Sequence, residues 1–202
     1  MRNALHGLLL LVLLSTGPAC ATLLNTGNSS GAGNGATQIS LNLPADLQVG
    51  DLLIAQIAYR NTSATLSAPN ARWTLLQNTA NGSLIRQQVY VRTVASGDVA
   101  GSSETWSVSG GNTRLAGGLS GWRSSIAGIY PGIEQSQGNT GTTSVGGNAL
   151  SAPAITAANA GQLLRLFGVS YGNGFAVTPP GLSEYYRPQS GAGLNGTSQL
   201  GV

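Results

Sequence analysis

Beyond residue 36 the chain alternates short apolar runs with clusters of Gly, Pro, Asn, Asp and Ser, and no stretch sustains a helical period. Thr37–Leu43 places Ile39, Leu41 and Leu43 on one face, the pattern of a half-buried strand. Pro44–Gly50 then turns the chain into Asp51–Arg60 (DLLIAQIAYR), a nearly continuous apolar run that predicts a central strand covered on both faces. Trp73–Gln77 and Leu84–Val94 flank Asn81-Gly82, a pair that favours a tight hairpin turn. In the second of these strands Ile85, Val89 and Val91 face one way, and Arg86, Gln88, Tyr90 and Arg92 the other. Glu104–Ser109 puts Trp106 and Val108 on the same side as Glu104, which leaves the inward face open. Further strands are predicted at Ala152–Thr156, Leu163–Tyr171 and Leu182–Arg187. Eight or nine strands with turn signals between them predict an all-β, antiparallel two-sheet β-sandwich of jelly-roll type.

Thr113–Gly132 (TRLAGGLSGWRSSIAGIYPG) is rich in glycine, yet no helix pattern follows the glycines as a phosphate-binding loop requires. Leu115, Gly117, Leu119 and Gly121 alternate with Ala116, Gly118, Ser120 and Trp122, the pattern of a strand buried on both faces. Small residues there admit close approach by a neighbouring strand or a large side chain. Ser124–Gly132 reads as the corner that follows.

The N-terminus has a different character. Arg2 precedes the apolar run Leu8–Leu14, and Gly17-Pro18 stands ahead of Ala19-Cys20-Ala21, an A-x-A cleavage pattern. The run is too short for a membrane span, which takes about 20 apolar residues. Residues 1–21 are therefore expected to be a signal peptide with a helical core, cleaved after Ala21. Residues 22–36 are expected to be a flexible Gly/Asn/Ser leader, and residues 37–202 a single sandwich domain with an incomplete C-terminal strand. The mature protein is expected to be periplasmic or extracellular, with no membrane span.

Cleavage would remove the only Cys, His and Met, and the chain has no Lys. That composition excludes a Ser-His-Asp triad, a thiolate nucleophile, a zinc site of the usual kind and a lysine Schiff base, and no cofactor is expected. Eight arginines against six acids remain, but in sequence they stand singly: Arg60, Arg72, Arg86, Arg92, Arg114, Arg123, Arg165 and Arg187. Phosphate recognition needs several cations on one backbone, so nucleic acid is not an expected partner. The sequence offers no closely spaced acids of calcium-loop type.

Several segments together resemble a β-sandwich module that recurs in bacterial secreted and surface proteins and in some phage tail-associated proteins. They are Val49-Gly50-Asp51-Leu52-Leu53, Trp73-Thr74-Leu75-Leu76, Val89-Tyr90-Val91-Arg92, Arg114-Leu115 with Trp122-Arg123, Ala152-Pro153-Ala154-Ile155-Thr156, and Pro179-Pro180-Gly181-Leu182-Ser183-Glu184. The resemblance implies a sandwich at the cell exterior and no catalytic activity. Trp73, Trp106 and Trp122 lie in strand patterns and are expected in the core. Tyr130, Tyr171, Phe175, Tyr185 and Tyr186 lie in or beside Gly- and Pro-rich connections, where rings can stack on sugars. Arg86, Tyr90 and Arg92 form a strand face that could offer arginine forks to an acidic glycan. The expected function is a non-catalytic structural or interaction module that meets a surface glycan or another protein chain, with self-assembly through an open sheet edge as one route. The alternatives are a carbohydrate-binding module using the loop aromatics, and a glycan-active enzyme built on two of Glu104, Glu134 and Glu184.

Overall fold

The computed structural model describes residues 5–15, 22–60, 63–143, 154–156, 161–170, 183–190 and 196–201. Thirteen strands are formed: β1 (Leu5–Ser15), β2 (Leu23–Ala36), β3 (Gln38–Asn42), β4 (Leu52–Tyr59), β5 (Thr65–Ser67), β6 (Thr74–Asn81), β7 (Ile85–Thr93), β8 (Ser103–Ser109), β9 (Thr113–Ser124), β10 (Gly132–Thr143), β11 (Gly161–Ser170), β12 (Ser183–Tyr186) and β13 (Gly196–Gly201). No helix among the described residues is long and apolar enough to cross a membrane.

The chain is an all-β sandwich. One sheet has the order β2-β9-β4-β7-β6 and faces a second of order β3-β8-β5, every pairing antiparallel. The pairs nest, β2 with β9, β3 with β8 and β4 with β7, which is jelly-roll order. The departure is β6, which bonds to β7 instead of closing the roll beside β5.

Between these sheets lies the larger core, containing Ile39, Leu41, Leu53, Ile57, Trp73, Tyr90, Trp106, Val108, Leu115 and Leu119. The other face of the five-stranded sheet is covered by a third sheet, β10-β1-β11-β13-β12. Leu52, Ile54, Val89 and Trp122 meet Leu14 and Leu166 across that second interface. Covering on both faces explains why every residue of β4 is buried. It also explains the glycines of β9. A Cβ on Gly117 would press on the Gln56 carbonyl at 2.8 Å, one on Gly121 would lie 2.7 Å from Pro44, and one on Gly118 would overlap the Tyr186 ring.

Several expectations are corrected. Residues 22–36 are not a flexible leader: they form β2, in register with β9 from Leu23 opposite Ser124 to Ala36 opposite Thr113. Small side chains suit this edge, where Asn25 Nδ2 donates to the Gly121 carbonyl and Ser29 Oγ to the Asn42 carbonyl. Ala154–Thr156 belongs to no strand, and residues 152–153 lie outside the described residues. β10 was not anticipated, because its polar, Gly-containing sequence has no apolar alternation. The C-terminal segment does not leave an open edge, since β13 pairs with β11 on one side and β12 on the other. The apolar run Leu8–Leu14 lies in β1, between β10 and β11.

Candidate functional site

The antiparallel order collects the connections at two ends of the sandwich. At one end the turns after β3, β7 and β9 meet: Leu43 N–H donates to the Ser102 carbonyl, Gly101 to Pro44, and Gly50 to Val94. This end holds Asp46, Asp51, Asp98 and Glu104 together with Arg72, Arg92 and Arg123. Arg92 Nη1 bonds Asp98 at 2.9 Å and its Nη2 bonds Glu104 at 2.9 Å, and Arg72 takes Asp98 from the solvent side. The Arg92 side chain is 1% exposed and its guanidinium lies 5.0 Å from the Trp73 ring centroid, within cation–π range. Burial pushes the Asp98 carboxyl up, but hydrogen bonds from Arg72, the Ala95 N–H and Arg92, with the Arg92 charge, outweigh it and hold the group well below the usual carboxylate range. Arg123 makes a second brace: Nε and Nη2 donate to the Asp51 carboxylate, Nη1 donates to the Asp46 carboxylate, and Nη2 also donates to the Asp46 backbone carbonyl.

Beside that brace lies a pocket of about 180 Å³, lined in part by Gln48, Val49, Asp51, Arg123, Ile126 and Tyr130. Tyr130 is 64% exposed and rests its ring on Gly50, whose φ of +94° and missing Cβ make the seat. Val49 and Ile126 are exposed beside it.

At the opposite end the residues after β4, in the β6–β7 turn and in the β8–β9 turn form an open cleft of about 450 Å³. Its lining is Asn34, Gly35, Arg60, Ser83, Asn112, Thr113 and Arg114. The Arg60 N–H donates to the Arg114 carbonyl at 3.3 Å, which sets the two arginines side by side, and Arg114 Nε donates to Asn34 at 3.1 Å. Arg86, opposite Tyr59 in the β4–β7 register, brings a third cation to this end. No carboxylate lines the cleft.

The residues singled out from sequence are not brought together. Tyr130 is exposed at the acidic end, and Arg86 stands at the basic end, hydrogen-bonded to Tyr59. Tyr90 and Arg92, expected on an outer face, point into the larger core. Tyr90 OH donates to Gln88 at 2.8 Å and to the Leu66 carbonyl at 3.3 Å, and both forks of Arg92 are occupied by Asp98 and Glu104. The three-stranded sheet covers that face, so it offers no fork to a glycan. Tyr185 packs edge-on against Trp122 at 5.1 Å, and Tyr186 is buried with its OH donating to Gln56 at 3.1 Å. Tyr171 and Phe175 lie outside the described residues. Trp73, Trp106 and Trp122 are core residues, as their strand patterns predict.

Sequence reading missed the cleft. Arg60 and Arg114 are far apart in the chain, and only the pairing of β4 with β9 makes them neighbours; that signal lies in topology. Among the described residues no group of three or more His, Cys, Asp or Glu is placed to hold a metal ion. No protein-family model, curated protein or solved structure matches the chain.

Proposed function

We propose that this chain is an exported, non-catalytic β-sandwich that works as a structural or interaction module at the cell exterior. The observation that carries the reading is the use made of its few acids. Asp46 and Asp51 brace Arg123, Asp98 and Glu104 brace Arg92, and Glu184 bonds Arg187. Carboxylates held this way serve the fold: their oxygens accept hydrogen bonds from guanidinium groups that tie one turn to another, and are not turned together across a cleft as a catalytic pair needs. The resemblance to secreted and surface sandwich modules points the same way. The test is hydrolytic and lyase activity on a polysaccharide panel, for the wild type and for Glu104→Gln, Glu134→Gln and Glu184→Gln. No activity is expected. A depolymerising activity that one of these substitutions abolishes overturns the proposal.

Tyr130 favours a second reading, a carbohydrate-binding module. Its exposed ring, fixed on Gly50 beside the 180 Å³ pocket, is the one described loop aromatic presented as a platform. Loss of binding to a neutral glucan on Tyr130→Ala would support that reading, and no binding by the wild type would remove it.

A further inference from the structure

We propose that the basic end of the sandwich binds an acidic sugar, one whose ring carries a carboxylate or sulfate. The inference deepens the interaction reading and rests on it.

Three observations combine. The first is segregation of charge. The sandwich gathers Asp46, Asp51, Asp98 and Glu104 at one end with three arginines that they engage, and Arg60 and Arg114 line the cleft at the other. The chain has only six acids, and the remaining two, Glu134 and Glu184, are on β10 and β12. The field at the cleft is therefore positive, and an anion is the ligand it attracts.

The second is the lining. Two guanidiniums stand beside the side-chain amides of Asn34 and Asn112 and the hydroxyl of Ser83. Arginine offers planar forks to an oxyanion, and the amides and hydroxyl supply donors and acceptors for the ring hydroxyls. Arg114 is held in place by its bond to Asn34.

The third is the size of the site and its lack of rings. About 450 Å³ suits one or two sugar units. Single-stranded nucleic acid is held by stacking its bases on aromatic side chains, and among the described residues none lines this cleft. Duplex binding relies on many phosphate contacts at once, more than the two arginines of the cleft supply.

The experiment is affinity electrophoresis of the whole protein through gels containing polygalacturonate, dextran sulfate, neutral dextran or oligothymidylate at one ionic strength. Retardation by polygalacturonate, dextran sulfate or both is expected, and the stronger of the two identifies the acidic group. Neutral dextran should have no effect. Arg60→Gln with Arg114→Gln should weaken binding roughly ten-fold or more, the scale of losing charge-assisted hydrogen bonds. Ser83→Glu, at an exposed turn position, provides a second variant with an intact fold, and its carboxylate should weaken binding by a similar factor. Val99→Ser, at an exposed position of the β7–β8 turn at the opposite end, should leave binding unchanged. Equal retardation by oligothymidylate, or binding indifferent to Ser83→Glu, overturns the proposal. So does a wild type that binds neither acidic polymer; the module reading then stands or falls on its own activity test.

Discussion

Arg92 ties the β7–β8 turn and the start of β8 to the β5–β6 connection, because its fork takes Asp98 and Glu104 while its flat face lies on Trp73. Removing one partner of a buried pair leaves the other charge without compensation, which costs about 3–5 kcal/mol. Arg92→Met should therefore lower the unfolding free energy in urea by that amount. Arg72→Ala, which removes the exposed partner of Asp98, should cost far less, because solvent screens that pair. A similar contrast holds for glycines. Gly50→Ala forces a left-handed backbone on alanine and pushes into Tyr130, and should destabilise by about 1–3 kcal/mol. Gly97, also at positive φ, has open space where a Cβ would go, so Gly97→Ala should show the backbone cost without the displaced ring. Tyr130 fluorescence separates the two.

At the scale of elements, β9 is the strand through which both cores are set, and its tolerance differs by face. Gly118→Val would drive a branched side chain into the ring of Tyr186, whose OH is tied to Gln56, which in turn bonds Gln87 at 2.9 Å. Such overpacking costs about 1–3 kcal/mol or more, and a thermal melt of the variant should fall accordingly. How much of each element could be read beforehand follows from what its side chains do. β4 was legible because burial on both faces demands an uninterrupted apolar run, and β6–β7 because Asn81-Gly82 marks the turn. In β7 the parity was right and the exposure wrong: Arg86, Gln88, Tyr90 and Arg92 share a face, but a second sheet covers it. β2 and β10 were invisible because they are strands through their partners' hydrogen bonds, with side chains too small or polar to alternate. The candidate sites divide the same way. Tyr130 was legible as an exposed loop ring, whereas the arginine cleft exists only once β4, β7 and β9 are side by side.

The whole molecule has an acid limit and an alkaline one. Asp98 titrates lower when folded than when unfolded, so its contribution is present above the unfolded carboxylate range, near pH 4, and is lost as pH falls further. Burial, with Tyr59 nearby, pushes Tyr90 up to about 12, and burial also raises Tyr186 and Tyr59. For groups raised when folded, stability is complete below the unfolded value near 10 and declines as pH rises past it. Tyrosinate absorbance should thus include a buried fraction, from Tyr59, Tyr90 and Tyr186, that appears only with unfolding; its appearance in the folded protein would contradict the burial described here. The proposed export is checked by mass. Cleavage after Ala21 predicts a mature chain starting at Thr22, and the intact mass of the secreted protein checks it; such a chain would lack β1, so β10 and β11 would lose their shared neighbour. The nested pairing also sets the order of events in time. Leu23 waits for Ser124 before β2 has a partner, and β3 waits for β8 inside that loop. Contacts so distant in sequence form slowly, in roughly milliseconds to seconds for sandwich folds. A chain emerging from its N-terminus can therefore pair β4, β7 and β6 by Thr93, but cannot close the β2–β9 pair until nearly two thirds of it has been made; under the proposed export, that order of strands would keep the sandwich open while its first half crosses a membrane.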